Sequence, residues 1–152
     1  FRESFQQERH RAQRYDADLT LLVLDLDYFK KVNDTHGHAV GDQVLIHVAN
    51  ILRRRLRASD LVCRVGGEEF TVLLPDTGLE EAIKVADSLR RLIRDTPYRD
   101  QAVTVSLSCS IGVALWGRDG DTLEQLMETG DKRLYQAKQA GRDRVESGPV
   151  AG

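Results

Sequence analysis

The sequence is short of the features that mark specialised protein classes. Its 152 residues include two cysteines and three prolines, and 22 basic residues nearly balance 24 acidic ones, for a formal net charge of −2. The scarcity of cysteine excludes a disulfide-rich scaffold, and the balanced charge argues against a nucleic-acid partner. No apolar run is long enough to span a bilayer. With 41% hydrophobic residues, we expect residues 1–146 to form one globular domain, followed by a flexible tail at residues 147–152.

The cysteines and the start of the chain indicate its context. Cys63 and Cys109 each lie in an alternating apolar stretch typical of a strand, which favours a reducing, cytoplasmic compartment. No signal-peptide pattern is present. Because the chain opens with Phe1 and its single methionine is Met127, we expect it to be part of a longer protein.

Hydrophobic periodicity predicts a helix at residues 1–15 and then elements in the order β-α-β-β-α-β-α. The continuous apolar run of the first strand is typical of a strand buried on both faces. The last strand alternates strictly and predicts one bulky face and one small face that a helix can approach closely. The predicted strands are residues 19–26, 61–65, 68–74 and 103–115, and the predicted helices are residues 40–56, 82–93 and 123–137, the last ended by Gly141.

A hairpin in the middle of this order favours an α+β fold of the ferredoxin-like or palm type, an antiparallel sheet with helices on one face. The pair Gly66-Gly67 separates the two hairpin strands, and we expect it to form a two-residue turn in which both residues need positive φ. The pair is a tight turn in the simplest interpretation. A tip without side chains would also let a phosphorylated ligand approach backbone N–H groups.

Two pairs of acidic residues are the first candidates for chemistry. Asp25 and Asp27 interrupt the apolar run of the first strand, where an ionised carboxylate needs a cationic partner, and Glu68 and Glu69 follow the Gly-Gly pair. If the hairpin lies beside the first strand, both pairs share one end of the sheet. Carboxylates without a His or Cys cluster favour magnesium, which completes its coordination with substrate phosphates. Helix capping or ordinary surface charge is the alternative interpretation.

Two further groups of polar residues flank these acids. Asn33, His38 and Asp42 lie between the first strand and the next helix, and an amide beside a carboxylate matches the edge of a guanine. Lys138 and Arg142 lie at the end of the last helix, where cations can bind phosphate. Both groups have simpler interpretations, since such residues also cap helices and complement the helix dipole.

Four segments in combination resemble the GGDEF family of diguanylate cyclases, here in its GGEEF variant, over nearly the whole chain. They are LDLDYFKKVNDTHGHAVGD (residues 24–42), RVGGEEF (residues 64–70), SLSCSIGVA (residues 106–114) and DKRLYQAKQAGRDRV (residues 131–145). The family's D-x-L-T-G-L-x-N-R segment would lie before Phe1.

The resemblance implies a role for each matching residue. It implies that magnesium, two ions per site with manganese as a substitute, is held by Asp25, the Leu26 carbonyl, Glu68 and Glu69, the last two also being catalytic. It further implies that Asn33 and Asp42 recognise guanine, that His38 lines the substrate site, and that Lys30, Lys138 and Arg142 hold phosphates. A product-binding R-x-x-D is matched by Arg57 and Asp60, and Ser88 lies near the point where a further arginine commonly joins that site.

By this resemblance the chain is expected to condense two GTP molecules into cyclic di-GMP and two pyrophosphates, as a homodimer with product feedback inhibition. A regulatory or sensor domain is expected on its N-terminal side. A non-catalytic sensor of GTP or cyclic di-GMP is the alternative, but it would be marked by loss of the signature acids, and Asp25, Glu68 and Glu69 are present. A purine-nucleotide cyclase of similar palm-like topology would share the metal-binding carboxylates but not the RVGGEEF signature.

Overall fold

The helices and strands follow the predicted order, with several short additions. The computed structural model describes residues 1–148, so most of the predicted tail, residues 149–152, lies outside the described residues. The helices are α1 (Arg2–Tyr15), α2 (Phe29–His36), α3 (His38–Arg55), α4 (Leu79–Asp95) and α5 (Leu123–Gln139). The strands are β1 (Leu19–Leu26), β2 (Leu61–Gly66), β3 (Glu69–Pro75), β4 (Tyr98–Arg99), β5 (Thr104–Val105), β6 (Cys109–Leu115) and β7 (Arg144–Glu146). No helix within residues 1–148 is long and apolar enough to cross a membrane.

A five-stranded sheet in the order β2-β3-β1-β6-β7 organises the chain. β1 is its central strand, all eight of its residues are buried, and it pairs antiparallel with both β3 and β6. The strand β7 pairs with β6 in parallel. The α+β class with a mainly antiparallel central sheet is therefore confirmed, with one parallel pair at an edge.

The helices lie on both faces of the sheet, so the expectation of helices on one face was wrong. One core joins Leu22 and Leu24 of β1 to α3 and α4. A second core joins Leu21 and Val23 to α1 and α5. The continuous apolar run of β1 already required cover on both sides, because successive residues of a strand point to opposite faces.

The hairpin turn is shifted by one residue from the prediction. Gly66 pairs with Glu69, so the two turn residues are Gly67 and Glu68, and an irregularity in β2 lies between Arg64 and Gly66. Of the glycine pair only Gly67 has positive φ, at 52°. The bulge takes up the extra residue and places Glu68 in the turn itself.

The predicted strand at residues 103–115 is broken. Residues 104–105 pair with β4 in a separate small sheet, and β6 begins at Cys109, opposite Leu26 at the end of β1. The alternation continues through residues 106–108, but β1 ends at Leu26, and beyond it the Asp27 N–H still donates to the Ser108 carbonyl at 2.9 Å. The sequence pattern also did not predict α2, which is short and has Phe29 as its only buried residue.

The small face of β6 allows α5 to lie directly on the sheet, as predicted. A Cβ atom at Gly112 would lie 2.1 Å from the carbonyl oxygen of Gly130 and 2.6 Å from the backbone nitrogen of Leu134. A Cβ at Gly130 would lie 2.6 Å from Cγ2 of Val23 in β1. Because backbone meets backbone at Gly112, no side-chain rotation can make room for a methyl group there.

Replacing Gly112 by alanine should therefore destabilise the fold. We expect a loss of at least about 2 kcal/mol in the free energy of unfolding, the cost of overpacking a site that cannot relax. Urea denaturation measures the loss, with Gly148→Ala as the control because nothing lies within 4 Å of a Cβ at Gly148. Equal stability of the two variants would show that α5 can move away from β6 at little cost.

A buried ion pair holds the other end of β6. The Arg133 side chain is 1% exposed, and its two terminal nitrogens donate to the Asp119 carboxylate at 2.8 and 3.0 Å. The same carboxylate accepts the Leu115 N–H at 2.7 Å and a bond from Arg118. Burial opposes ionisation of Asp119, but these donors outweigh it and hold its pKa below the ordinary value.

This pair should make stability depend on pH in the acid range. Because the pKa of Asp119 is lower in the folded chain than the ordinary value of 3.8, its contribution is complete above that pH and is lost as the pH falls further. At pH 7 we expect Asp119→Asn to be less stable by about 3 kcal/mol. Urea unfolding across pH 7 to 2 should show this gap narrowing below pH 4, with Asp121→Asn as an exposed control. A gap that stays constant would contradict the role of the Asp119 charge.

Candidate active site

The acidic residues predicted from the sequence meet at one end of the sheet. Asp25 of β1 lies directly opposite Glu69 of β3, and Glu68 precedes it in the turn. The Leu26 N–H donates to the Glu68 carbonyl at 3.3 Å, which ties the hairpin to the end of β1. The structure thus brings Asp25, Leu26, Glu68 and Glu69 together, as the sequence predicted.

Lys138 supplies the cation that Asp25 was expected to need. Its Nζ lies 2.8 Å from Oδ2 of Asp25, whose side chain is only 11% exposed. The other oxygen, Oδ1, is buried and has no hydrogen-bond partner among residues 1–148. Burial raises the pKa of Asp25, and the bond from Lys138 opposes that shift. One carboxylate oxygen is therefore held by protein and the other is left without a ligand.

Glu69 is half-buried among other acids. Burial raises its pKa to about 7, with the negative charge of Asp131 on α5 as the next cause. The sequence analysis did not single out Asp131, because only the packing of α5 on the sheet brings it to the hairpin. Several carboxyl groups thus crowd one place where Lys138 is the nearby cation.

These residues fit a divalent cation. A buried carboxylate oxygen without a partner requires a cation or donor to offset its desolvation, and hard oxygen ligands suit magnesium. Within residues 1–148 no three His, Cys, Asp or Glu side chains converge on one point. Magnesium commonly binds through one or two carboxylates and completes its coordination with substrate phosphates. The arrangement therefore fits an ion that binds together with a phosphorylated substrate.

Asp27, by contrast, is held by neutral donors, and the cation expected near this pair of acids is the Lys138 ammonium at Asp25. The Asp27 carboxylate accepts hydrogen bonds from Ser108 and Ser110 hydroxyls, both at 2.7 Å, and from the Asp143 N–H at 3.1 Å. These neutral donors lie far along the sequence, so the pattern around Asp27 could not reveal them. Asp27 lies one residue beyond the end of β1, where Ser108, Ser110 and the Asp143 N–H reach it, and so its partners differ from those of Asp25.

The three residues proposed for a guanine edge lie on α2 and α3. Asn33 is half-buried on α2, and its Oδ1 would lie 1.8 Å from a Cβ at Gly41. Its amide therefore packs directly on the backbone of α3, next to Asp42. His38 and Asp42 are exposed, one turn apart. Gly41 is a site residue that the sequence analysis missed, although the G-H-x-x-G-D spacing contains it.

The phosphate candidates surround the acidic end of the sheet. Lys30 is exposed on α2, and Lys138 contacts Asp25. The Arg142 guanidinium stacks on the ring of Tyr28, 4.6 Å from its centroid. Tyr28 was also missed, although it directly follows the D-x-D pair.

Arg57 and Asp60 form an ion pair apart from this acidic cluster. The Arg57 Nη2 lies 2.9 Å from Oδ1 of Asp60 and also donates to the Pro75 carbonyl and the Thr77 hydroxyl, each at 2.8 Å. The Arg57 side chain remains 53% exposed. The pair anchors the segment after α3 to the end of β3.

Ser88 lies on α4, where it contacts α3. The Arg55 Nε donates to the Ser88 hydroxyl at 2.7 Å. Arg90 and Arg91, the neighbours of Ser88, both pair with Asp87. A guanidinium therefore reaches Ser88 from α3 rather than from α4.

A cleft of about 1170 Å³ lies between the hairpin strands and α5. Its apolar lining includes Val65, Met127 and Tyr135. Neither Asp25 nor Glu68 lines it, and it reaches the acidic cluster only through Asp131.

Comparison with known proteins agrees with the resemblance. The family described as "Diguanylate cyclase, GGDEF domain" matches residues 1–144. The chain is 44% identical over 144 residues to the diguanylate cyclase DgcP of Pseudomonas aeruginosa. The aligned region covers 95% of this chain and 21% of that protein. The chain therefore spans about a fifth of the length of that relative.

Solved structures match the fold over nearly its whole length. The GGDEF domain of YfiN, also called TpbB, from Pseudomonas aeruginosa superposes with a TM-score of 0.93 at 36% identity, covering 98% of this chain and 87% of that one. The GGDEF domain of DgcB from Caulobacter crescentus, solved in complex with c-di-GMP, gives 0.89 at 28% identity, covering 97% and 85%. By its family match, its sequence identity and its fold, the chain belongs to the GGDEF family of diguanylate cyclases.

Proposed function

We propose that this chain is a catalytic domain that condenses two GTP molecules into cyclic di-GMP and releases two pyrophosphates. The observation that carries the proposal is the buried Oδ1 of Asp25, which lacks a hydrogen-bond partner in the described part of the chain and lies beside Glu68 and Glu69. A domain that had lost catalysis would have no need of this costly arrangement. The diguanylate cyclase activity named for its relatives and the c-di-GMP complex of the DgcB domain support the same reaction.

The metal-binding role falls to Asp25, the Leu26 carbonyl, Glu68 and Glu69. Bound magnesium, two ions with manganese as a substitute, lowers the pKa of the attacking 3′-hydroxyl and neutralises charge on the α-phosphate and the leaving pyrophosphate. Glu68 lies in the hairpin turn and is the carboxylate nearest the nucleophile, as general base or as ligand. Gly67 beside it leaves room for phosphates to approach the turn.

Guanine recognition falls to Asn33 and Asp42, with His38 lining the same side. The Asn33 amide is fixed against Gly41, so it meets a base without losing further freedom. Asp42 is exposed one residue further along α3 and can accept the imino and amino donors of guanine. Adenine lacks that pair of donors, which explains a preference for GTP.

Phosphate binding falls to Lys30, Lys138 and Arg142. Lys138 lies at the C-terminal end of α5, within 2.8 Å of Asp25. From there its ammonium would also reach the phosphates of a triphosphate bound beside Asp25. Arg142 presents a planar guanidinium from the turn that follows.

The reaction requires two copies of the domain. Each site holds one GTP, and each 3′-hydroxyl must attack the other α-phosphate, so two domains face each other across a two-fold axis. A regulatory or sensor domain on the N-terminal side would control this encounter. The free thiols of Cys63 and Cys109 support a cytoplasmic location.

Product inhibition falls to Arg57 and Asp60. The exposed half of the Arg57 guanidinium can take a phosphate or guanine edge while Asp60 holds the rest. In this chain the Arg55 guanidinium contacts Ser88, the position near which a further arginine commonly joins such a site in the family. Because the pair lies apart from Asp25 and Glu68, product bound there would act by holding two domains in an unproductive orientation.

Incubation of the chain with GTP and Mg²⁺, with products identified by mass, tests the reaction. Glu68→Gln keeps the shape of the side chain but removes its charge, so we expect cyclic di-GMP synthesis to fall at least about 100-fold. The circular dichroism spectrum should stay unchanged, and the exposed Glu80→Gln should retain full activity. Near-normal turnover in Glu68→Gln would remove Glu68 from the site.

Asp42→Ala should relax the choice of base. Losing the acceptor leaves the guanine donors unpaired, so kcat/KM for GTP should fall at least about 10-fold while the low activity toward ATP changes little. Asp34→Ala, on the neighbouring exposed surface of α2, is the matched control. Equal losses for both nucleotides would mean that Asp42 only stabilises the start of α3.

Arg57→Lys should abolish tight product binding while keeping the positive charge. Lysine cannot reproduce the planar fork that pairs with a phosphate or a guanine edge. Calorimetric titration with cyclic di-GMP should show an affinity at least about 10-fold weaker, with inhibition lost in parallel, and Arg53→Lys should behave as the native chain. Affinity unchanged in Arg57→Lys would reduce the pair to an anchor between α3 and β3.

A further inference from the structure

The turn that carries Arg142 has an unfavourable backbone. Arg142 and Asp143 lie in succession in the left-handed region, with φ of 64° and 48°, and neither is a glycine. Non-glycine residues adopt this conformation only when the surrounding structure holds them there. The contacts of the turn therefore decide where the Arg142 guanidinium is presented.

The Asp27 side chain holds this turn by accepting a hydrogen bond from the backbone of Asp143. Its Oδ2 accepts the Asp143 N–H at 3.1 Å and the Ser108 hydroxyl at 2.7 Å, and its Oδ1 accepts the Ser110 hydroxyl at 2.7 Å. The whole residue is only 7% exposed. A hydroxyl can turn to a new partner, but a backbone N–H can only donate, so Asp143 depends on the acceptor at Asp27.

Three side-chain contacts also restrain the same turn. The Asp143 carboxylate pairs with two guanidinium groups of α4. Its Oδ1 lies 2.9 Å from Nη1 of Arg90, and its Oδ2 lies 3.7 Å from Nη1 of Arg94. The Tyr28 ring lies 4.6 Å from the Arg142 guanidinium. Asp27 and Tyr28 are neighbours, so one dipeptide at the end of β1 holds both the backbone of the turn and its cationic side chain.

We propose that Asp27 and Tyr28 are positioning residues that hold the 142–143 turn so that Arg142 faces the triphosphate. The inference rests on the proposed phosphate-binding role of Arg142. Neither Asp27 nor Tyr28 needs to touch the nucleotide. They reduce the conformational freedom that a long arginine side chain would otherwise lose on binding.

The test is the affinity for an unreactive substrate, guanosine 5′-(α,β-methylene)triphosphate with Mg²⁺, titrated into the full chain by calorimetry. Arg142→Ala should weaken binding about 10-fold, as expected for loss of a charged phosphate contact. Asp27→Ala should weaken it to a similar extent, and should add nothing in the Arg142→Ala background.

The conservative variant Asp27→Asn should bind nearly as the native chain does. Its single amide oxygen can accept from Asp143 and Ser108, and its NH₂ can donate to a reoriented Ser110 hydroxyl. Asp119→Asn is the matched control, because it removes the charge of a buried acid at the opposite end of β6. It should lower the unfolding midpoint but leave the affinity unchanged.

Tyr28 gives a second test that does not depend on the stability of a buried site. The Tyr28 side chain is exposed, at 62%, so Tyr28→Ala should fold normally and weaken binding about 3-fold, while Tyr28→Phe keeps the stacking ring and the native affinity.

Three results would overturn the inference. Native affinity in Arg142→Ala would overturn the proposed role of Arg142 as well. Weak binding in Arg142→Ala but native affinity in both Asp27→Ala and Tyr28→Ala would overturn only the positioning role. Equal weakening in Asp27→Ala and Asp27→Asn would show that the charge of Asp27 acts, not its hold on the turn.

Discussion

The close approach of α5 to β6 is the constraint on which the site depends. Gly112 and Gly130 let the helix backbone lie against the sheet without intervening side chains. From that position the C-terminal end of α5 brings Lys138 to Asp25 and delivers the Arg142 turn to the end of β1. A helix held one side-chain layer further out would leave Asp25 buried with neither oxygen compensated.

Three acids near the sheet differ in how completely the protein's own donors engage them. Asp119 and Asp27 are each fully engaged by protein donors, one by guanidinium groups and the other by hydroxyls and a backbone N–H. Asp25 has one oxygen bonded and one bare. Burial alone therefore does not mark the site, since all three are buried. The unbalanced surroundings of Asp25 do, because a fold has no reason to retain an unpaired buried oxygen that nothing will bind.

Sequence reasoning located the elements whose signal is local. The apolar run of β1, the alternation of β6 and the grouping of acids at one end of the sheet all follow from the side-chain period of a strand. The turn at Gly67-Glu68 was displaced because a bulge leaves no mark in residue composition. The short helix α2 was not predicted, because eight residues with one buried apolar side chain show no helical hydrophobic period. The partners of Asp27 lie 81 or more residues away, so only the folded chain could identify them.

At the left-handed turn, the residue that would best relieve backbone strain is not the residue that presents a guanidinium. Glycine in place of Arg142 would adopt its φ of 64° without a steric penalty. Such a replacement would remove the guanidinium that the turn presents. A library selected only for resistance to heat would therefore tend to enrich glycine at this position, and a library selected for nucleotide binding would reject it. Variants recovered from the two selections would therefore differ at Arg142, not in the core.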